Sequence, residues 1–230
     1  MDKNLLLNQK RKKHHKPGKY TEQYSKKKTE NNISILHACK ILKGFYIKEG
    51  ITALVLDAEK MNTTKILLKL DQRIKKIIIV ENNPETYNKM LEEIATNKLN
   101  DKVELHKGIM DKYLEKELDP KINVVYFDLN ESFFTSELSY GSDYAINLFL
   151  KRSEENEIVF AATFCLRSLH VGKDESEKVK TLLFLKKIFM GNGFNYKQLI
   201  PDEKMIYRGN KGNNKALMFV LFHLTKIEDE

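Results

Sequence analysis

Three apolar runs in this chain each close on a carboxylate: ITALVLD on Asp57, KKIIIVE on Glu81 and INVVYFD on Asp128. A carboxylate accepts two hydrogen bonds at once, which suits a ribose diol, and its charge offsets that of a nearby cation. An acid directly after a strand serves equally well as a helix cap, so the weight lies in three such residues recurring in order. Other polar groups follow the same runs: Glu59, Asn62, Thr63 and Thr64 after the first, Asn82 after the second, Asn130 and Glu131 after Asp128. Arg167, at the end of a later apolar run, could hold a phosphate or pair with a surface acid, and His170 stands alone. Cys165 lies inside that run and reads as a small buried hydrophobe. Without HxxxH, HExxH or a Cys/His cluster, no metal centre is expected. Cys39 and Cys165 are the only cysteines, which excludes a disulfide scaffold and suggests reduced thiols.

The elements that must position these groups follow from periodicity. SILHACKILKGFYIKEG has helical spacing and predicts a leading helix that stops at Gly50. ITALVLD is then a buried strand, and NTTKILLKL a helix with Asn62 or Thr63 as its cap. KKIIIVE repeats the strand, and NPETYNKMLEEIATNK the helix, with Asn83 as cap and Pro84 in the first position. VELHKG, INVVYFD and EIVFAATFCLR are three more strands, separated by helices around residues 110–118 and in SDYAINLFLKRS. The helix EKVKTLLFLKKIFMGNG ends at Gly191 or Gly193. A strand around residues 196–199, a polar turn-rich segment and the nearly continuous apolar strand KALMFVLFHLTK complete the chain. Alternating strands and helices imply a parallel sheet covered on both faces, and two final strands without an intervening helix make one of them antiparallel. The expected fold is α/β: a doubly wound, mostly parallel seven-stranded sheet with a C-terminal antiparallel hairpin. Such sheets bind ligands outside the carboxyl ends of their strands.

Taken in order, four strand ends resemble the motifs of the S-adenosylmethionine-dependent methyltransferase superfamily of Rossmann-like fold, over about residues 34–226. LVLDAEKMNTTKILL is similar to the first motif, which implies that Asp57 and the loop after it, with Glu59, Asn62, Thr63 and Thr64, hold the methionine end of the cofactor. IIIVENNPETYNKM resembles the second, implying that Glu81, next to Asn82, receives the ribose hydroxyls. VELHKGIMDKYL resembles the third, with Gly108, Ile109 and Met110 flanking the adenine and Asp111 taking its amine. VVYFDLNESFF resembles the fourth, in which Asp128 faces the transferred methyl group, and Asp128, Asn130 and Glu131 are the candidate base or orienting groups. The first loop departs from the family pattern, because Ala58 to Thr64 contains no glycine to let backbone approach the cofactor. The fourth departs from the nucleotide-amino enzymes, having no proline after Asp128. Phe133 and Phe134 could stack on a base or form core or a lid.

Charge adds a partner. Of the formal net charge of +8, +7 falls within residues 1–30, so the body is nearly neutral and the basicity belongs to an extension. Lys10, Arg11, Lys12, Lys13, Lys16, Lys19, Lys26, Lys27 and Lys28, with Tyr20 and Tyr24 among them, suit a nucleic-acid backbone and its unpaired bases. Having few large apolar residues, residues 1–32 are expected to be a disordered extension and 33–230 the folded domain. No apolar run reaches the roughly 18 residues of a membrane span, and no hydrophobic signal core precedes the basic cluster, so a cytoplasmic or nuclear protein is expected. Together the resemblance and the basic arm imply an S-adenosylmethionine-dependent methyltransferase acting on DNA, RNA or a nucleic-acid-associated substrate. The alternative is a methyltransferase-like protein without turnover that binds nucleic acid or serves assembly.

Overall fold

The structure, a computed structural model, describes residues 22–42, 50–116, 118–119, 121–129, 142–166, 174–210 and 213–227. The elements are α1 (Glu22–Ala38), β1 (Ile51–Val55), α2 (Asn62–Leu67), β2 (Ile74–Glu81), α3 (Pro84–Thr96), β3 (Val103–Lys107), α4 (Met110–Lys116) and β4 (Val124–Asp128). They continue with α5 (Ser142–Arg152), β5 (Glu157–Leu166), α6 (Asp174–Gly191), β6 (Phe194–Gln198), β7 (Ile206–Asn210) and β8 (Asn213–Lys226). Hydrogen bonding orders the sheet β3-β2-β1-β4-β5-β8-β6, with β7 also on β8. The first five strands pair in parallel. Only β8 runs against its neighbours.

The expected seven-stranded sheet is present, with its last position divided. Because β5 takes one edge of β8, both β6 and β7 must use the other: Gln198 pairs with Phe222 and Ile206 with Met218. The two short strands therefore lie end to end, parted by residues 199–205. Asp202–Lys204 form a 3-10 turn there. β7 falls in the segment whose polar, turn-rich composition hid a strand.

Both faces of the sheet are covered, which is why the strands read as unbroken apolar runs rather than alternating ones. One face joins Leu54, Val80, Phe127 and Phe160 to Leu114 of α4, Phe149 of α5 and Phe189 of α6. The other joins Val55, Ile79, Tyr126 and Phe219 to Ile35 of α1, Leu67 of α2 and Met90 and Ile94 of α3. No helix among the described residues is long and apolar enough to cross a membrane.

The largest correction concerns the start of the domain. The leading helix runs from Glu22 to Ala38, not from residue 34 to Gly50, so it begins inside the segment expected to be a disordered extension. Its outer stretch is rich in Glu, Gln and Lys without Gly or Pro, which favours helix. Ile35 and Ala38 anchor one end in the core, and the turn after it adds Cys39 and Leu42. Burial pushes the Cys39 thiol up to about 12, so it stays protonated.

Gly50 does not end that helix. It stands before β1 in the left-handed region, φ 85°, where an added Cβ would lie 2.8 Å from Lys75 Cβ. Gly50→Ala should therefore destabilise the protein by about 1–2 kcal/mol from the backbone conformation alone, with further loss from the contact. A urea titration that shows no drop in midpoint would refute this.

Candidate functional site

Register brings the three strand-end carboxylates into one row. Val55 on β1 is level with Ile79 on β2 and with Tyr126 on β4, and all three pack into the same face. Two residues further along each strand come Asp57, Glu81 and Asp128. Side chains two apart along a strand share a face and neighbouring strands are about 4.8 Å apart, so Glu81 and Asp128 at the last positions of β2 and β4, and Asp57 two residues past the end of β1, lie side by side at the carboxyl edge. Backbone bonds hold the row in place: Leu56 N–H donates to Tyr126 O (3.0 Å), and Leu129 N–H donates to Thr163 O (3.1 Å). The Tyr126 hydroxyl and Thr163 Oγ1, 2.9 Å apart, satisfy each other inside the core beneath Asp128.

Asp57 organises the first loop. One carboxylate oxygen accepts the Ala58 N–H at 3.0 Å, and the other accepts both the N–H (2.9 Å) and the hydroxyl (3.0 Å) of Thr64. Asp57 thus does for α2 what a capping side chain would do. The expected caps Asn62 and Thr63 are already inside the helix, and the residue before it, Met61, makes no capping bond. Desolvation lifts the Asp57 pKa above the ordinary carboxylate range, opposed by these hydrogen bonds and by the charge of Lys28.

Met61 is the structural counterpart of the missing glycine. Its φ of 49° and ψ of 43° place it in the left-handed region. There only glycine is at ease, though Asn and Asp are tolerated. Its amide donates to Ala58 O at 2.7 Å and its side chain is wholly buried. The first loop thus holds a left-handed residue without glycine, fixed by a packed side chain.

The other residues expected in the first motif are engaged within the protein. The Thr63 hydroxyl donates to Asn32 Oδ1 (3.3 Å) and the Thr64 hydroxyl to Asp57, so neither hydroxyl is free to meet a ligand as its donor. Glu59 points to α3 instead, pairing with Lys89 at 2.9 Å over a charged surface furrow that includes Lys65, Glu92 and Glu93. Asn62 is exposed.

At the second strand end, Glu81 is partly buried and accepts the Asn83 N–H at 2.6 Å. Desolvation raises its pKa, opposed by the backbone N–H groups of Asn83 and Asn82. Asn83 caps α3 as expected, accepting from Glu85 and Thr86 N–H, while Asn82 is exposed. Gly108 N–H donates to Glu81 O at 3.0 Å, which ties the third strand end beside the second. Ile109 there is 45% exposed, apolar surface available to a flat ring. Met110 packs against the core and Asp111 opens α4. Asp128 forms an ion pair with Lys28 of α1. That pairing corrects the assignment of Lys28 to a phosphate-binding arm. Lys27 pairs with Glu30 at 3.2 Å, and Lys26 is exposed.

Asn130, Glu131, Phe133, Phe134, Arg167 and His170 lie outside the described residues, as do Lys10, Arg11, Lys12, Lys13, Lys16, Lys19 and Tyr20. Among the described residues no group of three or more His, Cys, Asp or Glu could hold a metal ion. Lys28, Asn32 and Met61 stand beside Asp128, Thr63 and the first loop without having been expected there. Running the Ile35, Cys39, Leu42 spacing backwards by three or four reaches Asn31, Asn32 and Lys28, and that signal was available.

No family model matches the chain, and no curated protein matches its sequence. Solved structures do match. TYW2 of M. jannaschii, determined in complex with AdoMet, is 16% identical, covers 86% of this chain and 77% of its own, and gives a TM-score of 0.50. A protein from Pyrococcus horikoshii described as an RNA methyltransferase is 13% identical, with 86% and 83% covered and a TM-score of 0.56. One from Clostridium thermocellum described as an rRNA methylase is 17% identical, with 80% and 93% covered and a TM-score of 0.50. Sheet order, the single reversed strand and these superpositions together give the chain the Rossmann-like fold of the class I S-adenosylmethionine-dependent methyltransferases.

Proposed function

We propose that the chain binds S-adenosylmethionine and transfers its methyl group to a nucleic acid, with RNA the favoured substrate. The observation that carries the reading is the row of Asp57, Glu81 and Asp128 on one face of the carboxyl edge. The residues present fit the cofactor. Glu81 offers acceptor oxygens suited to a ribose diol, and exposed Ile109 lies one residue past Gly108, which is bonded to the Glu81 backbone. Met61 gives the first loop the turn that glycine ordinarily supplies. When bound, the cofactor supplies an electrophilic methyl group on a sulfonium. Displacement of that methyl is in-line and needs mainly positioning, so a site without a catalytic triad is adequate. Asp57 holds the loop, Glu81 would accept the sugar's hydroxyls, and Asp128 would offset the charge of the sulfonium and orient the nucleophile. Lys28 pairs with Asp128 and balances that charge.

Two things support a nucleic-acid substrate: the concentration of basic residues in the first thirty positions, and the description of two structural neighbours as RNA methyltransferases. Glu81→Ala should weaken S-adenosylmethionine binding by about 1–3 kcal/mol, the range for a lost hydrogen bond to a charged group, and leave the melting temperature little changed. Calorimetric titration checks the affinity and a thermal melt the stability. Undiminished affinity would move the ribose elsewhere, and no heat from the wild type at millimolar ligand would remove the cofactor altogether.

A further inference from the structure

Helix α6 is apolar on both sides. Leu182, Leu185, Ile188 and Phe189 are buried against the sheet, with Phe189 on the rings of Phe160 and Phe222. The opposite side carries Val179, 49% exposed, and Leu183 and Met190, each 55% exposed, with Phe184 beside them. Positions four and seven apart fall on one line of a helix, so Val179, Leu183 and Met190 form a stripe along the outside. Four of the nine large apolar residues exposed among the described residues lie on this one helix. A surface helix keeps its outer side polar, and one that is apolar all round is ordinarily enclosed.

Charge says what encloses it. Glu175 and Glu177 stand at the start of α6 and Lys186 and Lys187 toward its end, with Lys180 between. That order suits the helix's own dipole and by itself is ordinary. Combined with the stripe, it selects one kind of partner. A nucleic acid would set phosphates against Glu175 and leave the stripe unmatched, and an anionic membrane or an acidic peptide would want lysines along the whole length. A second α6 running the other way sets its lysine end beside these acids and its acids beside these lysines, while its stripe closes over this one. Two parallel copies would oppose acid to acid. The charges at both ends are available: Glu175 pairs with Lys178 of its own helix at 2.6 Å and remains exposed, as does Lys187.

We propose that a second copy of this chain covers the outer face of α6, the two helices packing antiparallel about a twofold axis. The inference is independent of the cofactor reading. Helix α6 covers the face of the sheet opposite the carboxylate row, so the pairing does not close the candidate site. An 18-residue helix is about 27 Å long, so one such helix against another makes a small interface and a weak dimer, with a dissociation constant of about 1–100 µM.

The test is sedimentation velocity of the full chain from about 1 to about 200 µM, a range that spans that constant. The weight-average mass should rise from 26.9 kDa toward twice that value. Leu183→Glu sets a charge in the stripe twice per dimer and should weaken association at least about a hundredfold, with the melting curve at the lowest concentration unchanged. Should that variant melt early, Val179→Lys asks the same question one turn away. Orientation has its own readout. Lys186→Glu with Lys187→Glu should weaken the dimer about tenfold, and adding Glu175→Lys and Glu177→Lys to the same chain should recover most of the loss, because antiparallel pairing needs only that the two ends differ in sign. A wild type that stays at the monomer mass, a Leu183→Glu dimer as tight as the wild type, or a charge reversal without rescue overturns the proposal. So does a monomer in which Leu183→Glu abolishes binding to single-stranded RNA or to phosphatidylserine vesicles, which would give the face to that partner.

Discussion

Asp57→Ala should cost the protein about 3–5 kcal/mol and abolish cofactor binding with it. The expectation comes from counting what the carboxylate holds: two backbone N–H groups and one hydroxyl, all within the loop that joins β1 to α2. Alanine leaves those donors without partners, at about 1–3 kcal/mol for each that stays buried, and burial of Thr64 prevents water from reaching its hydroxyl. Asp57→Asn is milder but not silent, because one oxygen can still serve Thr64 while the amide nitrogen meets the Ala58 N–H, donor against donor. The pair of variants also separates charge from geometry. The folded pKa of Asp57 is raised above its unfolded value, so the folded state binds the proton more tightly. Its contribution to stability is therefore fully present below the ordinary value of 3.8 and is lost as pH rises through the folded pKa. Chemical denaturation of wild type and Asp57→Asn at a series of pH values from 3.5 upward should show the difference in stability between them narrowing toward neutral pH. A difference that widens would reverse the sign of the shift.

What could be read without coordinates was whatever leaves a local pattern. The five parallel strands announced themselves as apolar runs because both faces of the sheet are buried, and Asn83-Pro84 marked the start of α3 by local chemistry. The acidic strand ends were legible for the same reason, each being a break in an apolar run. What stayed hidden depends on distant partners. Lys28 finds Asp128 a hundred residues away, and Asn32 finds Thr63 across thirty-one, so the start of α1 looked like a solvated tail when its polar inner face is paired with the body of the domain. Glu59 read as a cofactor-binding loop acid because its partner, Lys89, stands thirty residues on in α3. β7 was concealed because its edge position lets polar side chains into a strand. The glycine-free loop read as a departure from the family pattern, because sequence alone does not show that a methionine can adopt a left-handed conformation when burial compensates for it.

That compensation can be measured. Met61→Gly should destabilise the protein by about 2–4 kcal/mol, even though glycine is the residue that the backbone at this position prefers. Two terms compete. Releasing a non-glycine residue from the left-handed region gains about 1–2 kcal/mol. Truncating a fully buried methionine loses about 2–5 kcal/mol, and glycine adds about 0.4–1 kcal/mol of unfolded-chain entropy. Loss outweighs relief, so the variant melts earlier. Met61→Ala supplies the control, since it removes nearly the same side chain and retains the strain. In ordinary helical or extended backbone alanine is the more stable of the two, but at φ 49° the order should invert, with glycine ahead by up to about 1 kcal/mol. Urea midpoints for the two variants decide it: alanine above glycine would mean that Met61 is not held in the left-handed region. The inversion would instead establish that this loop preserves the glycine turn of its fold and fixes it by packing against the same core that receives α1.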